Sequence, residues 1–205
     1  MTVTYLRDTA QQAGLDTVYL AVEDIGWNAA RRAFVDLQER PLRTAFKLYP
    51  WEWLLVDAFG AELTWDRTAI IEPIWKMTLS NKGLLAVLWE MFRDHPVLLP
   101  AYFEDDPRAA GLGNYVRKPL LGREGSNIEL VRRGLPRQRA DSTAEPYGSE
   151  GYVRQALAAL PEFSGNYPVI GSWVVAGRAA GIGIREEDQL VTSNTARFVP
   201  HVILN

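Results

Sequence analysis

The segment NYVRKPLLGREGSN at residues 114–127 places a strand-like apolar run, a lysine, a proline and a short glycine loop in direct succession. A lysine that leaves a strand next to unhindered loop amides can direct positive charge and N–H groups toward one point, which suits a polyphosphate. The sequence contains neither the G-x-x-x-x-G-K-[ST] phosphate loop nor G-x-G-x-x-G after a first strand. The alternative is a β-hairpin in which Gly122 and Gly125 only turn the chain.

Composition limits the possible partners and metals. The chain has 205 residues, 47% of them hydrophobic, and a formal net charge of −3, so it can bury a core and has no overall attraction to nucleic acid or to an anionic membrane. Cysteine is absent and only two histidines occur, so a metal would be bound by oxygen. The sequence has no apolar run of the roughly 20 residues that span a membrane, and a cytoplasmic location is expected.

The first part of the chain predicts a small α/β unit over residues 1–50. A helix over 3–14 ends at Gly14, a β-rich run follows at 16–25, and extended segments are predicted at 34–40 and 42–49. A helix is predicted from Pro50 to Gly60, with proline at its first position. Five tryptophans are predicted to lie in or at the edge of the core: Trp51, Trp53, Trp75, Trp89 and Trp173.

Further along, helices and strands alternate, which predicts an α/β or α+β class. SNKGLLAVLWEMF at 80–92 predicts a helix with a serine or asparagine cap and one apolar side, formed by Leu84, Leu85, Leu88 and Met91. Periodicity does not decide between helix and strand for YVRQALAAL at 152–160. The segment 167–194 predicts strands, with a hairpin bend at Ala176 and Gly177.

Several long motifs resemble the glutathionylspermidine synthase family, in its stand-alone synthetase-like branch: FKLYPWEWLL, IIEPIWKMTLSNKGLLAVLWEMF, YVRKPLLGREGSNIELV and FSGNYPVIGSWVVAGRAAGIGIREEDQLVTSNTARFVPH. The resemblance implies a partial ATP-grasp-like fold, with residues 51–205 as the nucleotide-binding region. It also implies an ATP-dependent ligase that joins a small peptide-like carboxylate to a polyamine-type amine through an acyl phosphate.

The resemblance also implies roles for individual residues. Lys82 and Lys118 match lysines directed at the nucleotide phosphates, and Gln155 falls on a strand whose main chain lies against the adenine. Arg185 matches an arginine directed at the transferred phosphoryl group. The family's phosphate lid corresponds to a segment that should be poorly packed without nucleotide: Gly122, Arg123, Gly125, Ser126 and Asn127. Solvated charge is the alternative for Lys82 and Arg185.

One departure from the family pattern concerns magnesium. The family's Asp, Glu and Asn ligands for Mg²⁺ are expected upstream in an E-x-N segment, and this chain has no E-x-N. The chain therefore resembles a C-terminal half, with the metal ligands outside it and an N-terminal half as a candidate partner. Three functions stay open: part of a ligase, a non-catalytic nucleotide- or partner-binding module, and a phosphotransferase.

Overall fold

The chain divides into two units between Thr78 and Leu79, and the computed structural model describes residues 2–64, 67–139 and 147–204. Both helices and strands occur, in several sheets, so the fold is α/β, as predicted. The two units are defined by contacts within the chain, whereas the boundary predicted at residue 50 separates two functional regions. The boundary at residue 50 stays a prediction.

The first unit contains short elements. Its helices and strands are α1 Thr2–Gln12, β1 Gly26–Asn28, β2 Ala33–Val35, β3 Thr44–Phe46, α2 Trp51–Leu54 and β4 Ala69–Ile71, with 3-10 turns at Val22–Asp24, Gly60–Thr64 and Ile74–Lys76. β1 and β2 pair antiparallel, and β3 and β4 pair parallel. The predicted end of α1 is confirmed, because Gly14 follows it with a left-handed φ of 80°.

Two predicted elements of the first unit are wrong. The β-rich run at 16–25 forms only the 3-10 turn, because exposed Val18 and Tyr19 lie in a segment with no strand partner among the described residues. The helix predicted from Pro50 to Gly60 is the four-residue α2, and Pro50 precedes it as the N-cap. Of the apolar residues expected on one side of this helix, Trp51, Leu54, Leu55 and Phe59, only Trp51 is buried, which is too little to hold a long amphipathic helix.

Over residues 79–139 and 147–204, the second unit carries the helix Gly83–Met91 and two sheets. Its elements are α4 Gly83–Met91, β5 Ala101–Phe103, a 3-10 turn Pro107–Gly111, β6 Tyr115–Pro119, β7 Glu129–Val131, β8 Gln138–Arg139, β9 Tyr152–Ala156, β10 Tyr167–Val175, β11 Arg178–Glu187 and β12 Arg197–Val199; the short α3 Met77–Ser80 crosses the boundary. The larger sheet has the order β5-β9-β6-β7-β8 and the smaller has β10-β11-β12.

Helix α4 packs against β5 and β9. Lys82, not the predicted serine or asparagine, is its N-cap residue, and Asn81 just before it accepts the amide N–H of Gly83 through Oδ1 at 2.8 Å. The buried face is Gly83, Ala86 and Trp89, so the predicted leucine and methionine face is wrong. A Cβ at Gly83 would lie 3.1 Å from the Phe103 ring, so the glycine lets the helix approach β5 closely.

The two faces of the larger sheet carry different charged side chains, because successive residues of a strand lie on opposite faces. Lys118 lies opposite Val153, whereas its neighbour Arg117 lies opposite Arg154 on the other face. Like charges directly opposite each other are unfavourable. Glu104 compensates for them, since Arg117 Nε donates to its carboxylate at 2.6 Å and Arg154 Nη2 donates to the same carboxylate at 3.2 Å.

The smaller sheet contains the predicted hairpin. Ala176 and Gly177 join β10 to β11 with φ angles of 49° and 75°, so the bend is confirmed. The burial of Trp51 and Trp89 is confirmed and Trp53 is half-buried, but the prediction is wrong for Trp75 and Trp173, which are exposed. Trp173 lies on this hairpin, where few other residues cover it.

Replacing Glu104 by glutamine should lower the free energy of unfolding by about 2 kcal/mol at pH 7, because Arg117 and Arg154 lose their shared carboxylate. Hydrogen bonds from Arg117 lower the pKa of Glu104 although burial opposes them. Its stabilisation is therefore present above the ordinary glutamate pKa and is lost as the pH falls through the lowered value. Chemical denaturation at pH 7 and near pH 3 measures this, and equal losses in an Asp105→Asn control would contradict it.

Candidate functional site

Lys82 holds the segment that follows β6. Its side-chain Nζ donates to the carbonyl oxygen of Gly122 at 2.7 Å, and its amide donates to the carbonyl oxygen of Leu120 at 2.8 Å. Lys82 immediately precedes α4, so the start of this helix and the glycine loop are joined at one residue. A Cβ at Gly122 would lie 2.8 Å from Pro119 Cγ, so this approach requires glycine.

Lys118 lies on β6 beside this contact. Its Nζ donates to Gln155 Oε1 at 2.7 Å. Burial lowers the pKa of Lys118, and the positive charge of Lys82 lowers it further. Two ammonium groups therefore lie near each other in a partly desolvated position. A bound anion would offset both the desolvation of Lys118 and its repulsion by Lys82.

Gln155 lies in the middle of the larger sheet. It is opposite Ala101 of β5 and Val116 of β6, so the strand that the resemblance favours for this segment is confirmed. Its main chain is flanked by strands on both sides, whereas its side chain contacts Lys118. The contact between the two side chains was missed from the sequence, because it depends on the register between β6 and β9.

The glycine loop, defined as Gly122–Asn127, connects β6 to β7. Ser126 is buried and its amide donates to the carbonyl oxygen of Arg123 at 2.8 Å, while Asn127 Nδ2 donates to the carbonyl oxygen of Tyr147 at 2.7 Å. The expectation of a poorly packed loop is therefore wrong for its second half. Only Arg123 and Glu124 are exposed.

Arg185 lies on β11 of the smaller sheet, opposite Val169 and Phe198, so the structure places it on a different sheet from Lys118. The glycine loop approaches the segment after β11, since a Cβ at Gly125 would lie 3.0 Å from Val191 Cγ1 and 3.2 Å from the carbonyl oxygen of Thr192. The loop between β6 and β7 therefore contacts the segment between β11 and β12. Whether Arg185 contacts a phosphoryl group stays a prediction.

Two of the three acidic residues that follow Arg185, Glu186 and Glu187, contact other residues of the protein. Glu187 accepts the amide and the hydroxyl of Ser193, both at 2.6 Å, and Glu186 lies 3.6 Å from the guanidinium of Arg197. Among residues 2–64, 67–139 and 147–204, no group of three or more His, Cys, Asp or Glu side chains could hold a metal ion. The arrangement of Glu186 and Glu187 therefore does not fit a site for a divalent cation.

Comparison with known proteins identifies the family to which this chain belongs. The family described as "Glutathionylspermidine synthase preATP-grasp" matches residues 1–204, and the chain belongs to this family. It is 48% identical to a putative acid--amine ligase of Haemophilus influenzae over 202 residues, covering 97% of this chain and 51% of that protein. The family is therefore one of glutathionylspermidine synthase-like acid–amine ligases.

Two further relatives carry the names of synthetases. The trypanothione synthetase of Crithidia fasciculata is 28% identical over 96% of this chain and 33% of its own length. The bifunctional glutathionylspermidine synthetase/amidase of Escherichia coli K12 is 25% identical over 98% of this chain and 36% of its own length. The chain thus spans about half of the first relative and about a third of these two.

The described part of the chain contains no helix that is both long and apolar enough to cross a membrane.

Replacing Gly125 by alanine should lower the free energy of unfolding by at least about 2 kcal/mol, because the methyl group combines a left-handed φ of 78° with the close contacts to Val191 and Thr192. Gly134→Ala is the matched control, since Gly134 has a φ of 79° and no atom within 4 Å of the added carbon. We expect the control to cost about 1 kcal/mol. Chemical denaturation of both variants measures the difference, and equal losses would show that the loop does not pack on this segment.

Proposed function

We propose that this chain is the nucleotide-binding part of an ATP-dependent carboxylate–amine ligase. The observation that carries the proposal is the position of Lys82 and Lys118 beside the glycine loop, where burial and mutual repulsion favour an anionic ligand. The family's ligase names support the reaction class.

Each residue has a role in this proposal. Lys82 and Lys118 neutralise the phosphates of ATP, and the glycine loop, with Gly122, Gly125, Ser126 and Asn127, lies beside the same groups. When phosphate binds, Lys82 would donate to the ligand in place of the carbonyl oxygen of Gly122. The glycine loop could then change position and close over the phosphate. Arg123 and Arg185 contact the transferred phosphoryl group through planar guanidinium groups. Gln155 positions Lys118, and the main chain around it lies against the adenine.

The proposed reaction has two steps. A carboxylate oxygen attacks the γ-phosphorus, the bond from this phosphorus to the β–γ bridging oxygen breaks, and ADP leaves. An amine then attacks the acyl carbon, the bond from this carbon to the phosphate oxygen breaks, and phosphate leaves as the nitrogen gives up a proton. A closed loop would exclude water from the acyl phosphate.

The proposed substrates follow from the relatives' names. A small peptide-like carboxylate and a polyamine-type amine fit a family whose members are named for glutathionylspermidine and trypanothione. Residues 51–205 would serve the nucleotide, and residues 1–50 would belong to the substrate region.

Magnesium ions would neutralise the phosphates in such a ligase. Since Glu186 and Glu187 are held by Arg197 and Ser193, we propose that the metal ligands lie outside this chain. The chain alone would then bind nucleotide without ligating.

The Lys118→Met variant should bind ATP at least about tenfold more weakly than the wild-type chain, which corresponds to about 1.4 kcal/mol, because a charge-assisted contact to phosphate is lost. Calorimetric titration measures the affinity, and circular dichroism verifies folding. Lys76→Met is the control, since Lys76 lies outside the proposed site. Unchanged affinity in folded Lys118→Met would refute the nucleotide site.

ADP release by the isolated chain, with Mg²⁺, glutathione and spermidine, should equal that of Lys118→Met. Loss of a metal site removes several kcal/mol of transition-state stabilisation, or at least about a thousandfold in rate. Mass spectrometry of the products separates the alternatives: an amide shows that Glu186, Glu187, Asp188 or Asn194 holds the metal here, and a phosphorylated non-amide product shows a phosphotransferase. Either product would contradict the proposed division of the site.

A further inference from the structure

The β10–β11 hairpin exposes apolar side chains on both faces between residues 170 and 182. Ile170 and Val174 lie on one face with 66% and 65% of their surface exposed, and Trp173 and Val175 lie on the other with 67% and 62%. The register places Ser172 opposite Ile182 and Trp173 opposite Gly181, and it shifts between Trp173 and Val174, where Val174 pairs with Ala179 and β11 has one extra residue. An ordinary sheet covers at least one of its faces.

The edge of the hairpin is also open. Within the described residues, β10 pairs only with β11, and β12 pairs with β11 only at Ile184–Glu186. The residues from Ile170 to Ile182 therefore form a two-stranded ribbon, which is marginally stable in water by itself. Long apolar edge strands pair with other chains unless something covers them. The only charged residue on the ribbon is Arg178, so little repulsion prevents such pairing.

We infer that this ribbon is the docking surface for the part of the ligase that this chain does not span, which would add a strand to the edge of β10 and cover the two apolar faces. The inference rests on the proposed function, because it assigns the chain to one part of a larger ligase. The Haemophilus influenzae relative contains a comparable length of additional sequence, since the match covers 51% of it.

A second copy of this chain fits the ribbon less well. Pairing two β10 edges would make a four-stranded ribbon, and both of its faces would still expose Ile170, Val174, Trp173 and Val175. A partner with its own sheet and helices can cover an edge and two faces at once. Arg185 lies on β11 just beyond the ribbon, so a partner docked here would also come next to the proposed phosphoryl-binding arginine.

The test uses the unmatched part of the Haemophilus influenzae ligase, co-expressed as a separate polypeptide with this whole chain. Light scattering after size-exclusion chromatography should show a one-to-one complex, and hydrogen exchange should slow at residues 170–182. Trp173→Glu and Val174→Glu, one on each face, should each weaken the complex at least tenfold. Val97→Glu is the matched control, because Val97 is 81% exposed but precedes β5 and lies outside the smaller sheet.

Three results would overturn the inference: no complex with the co-expressed polypeptide, a complex that protects other residues only, or a self-association of this chain that Trp173→Glu abolishes. ATP titration of each folded variant separates this outcome from the proposed function. Trp173→Glu that binds ATP normally but no partner supports the docking surface. A complex that forms while the wild-type chain binds no ATP would refute the nucleotide site and leave the docking surface intact.

Discussion

The antiparallel pairing of β6 with β9 is the constraint on which the larger sheet depends. Its register sets Lys118 and Gln155 on one face and Arg117 and Arg154 on the other. A shift of β6 by one residue would move its side chains to the opposite faces of the sheet and would separate Arg117 from Glu104. The carboxylate of Glu104 stabilises the observed register, since it accepts hydrogen bonds from an arginine of each strand.

The two faces of the larger sheet differ in the partners of their charged side chains. Glu104 neutralises the arginines on one face, whereas Lys82 donates to the carbonyl oxygen of Gly122 and Lys118 donates to the amide oxygen of Gln155. Burial and the nearby charge of Lys82 lower the pKa of Lys118, so keeping this lysine charged in the folded protein costs stability. Such a cost is typical of binding sites, where groups are arranged for a ligand rather than for the folded state alone.

Local sequence signals predicted the elements that local physics determines. Gly14 ends α1 and Gly177 completes the turn of the β10–β11 hairpin, because glycine adopts a left-handed φ without a steric cost. The run at 16–25 has the composition of a strand and yet forms none, since a strand needs a partner that composition does not reveal. The contact between Lys118 and Gln155 could not be predicted for the same reason. The two residues are 37 positions apart, and the register between β6 and β9 brings them together. The resemblance placed Gln155 on a strand, which periodicity alone did not decide.

The shared carboxylate of Glu104 has a consequence for how sequences of this fold can diverge. A lineage that lost this glutamate first would hold Arg117 and Arg154 opposite each other with no counter-charge between them. One that first replaced either arginine by a neutral residue would retain a single ion pair and could lose the glutamate later at little cost. The three positions should therefore change in a preferred historical order, with an arginine before the acid, and they should vary together among distant homologues.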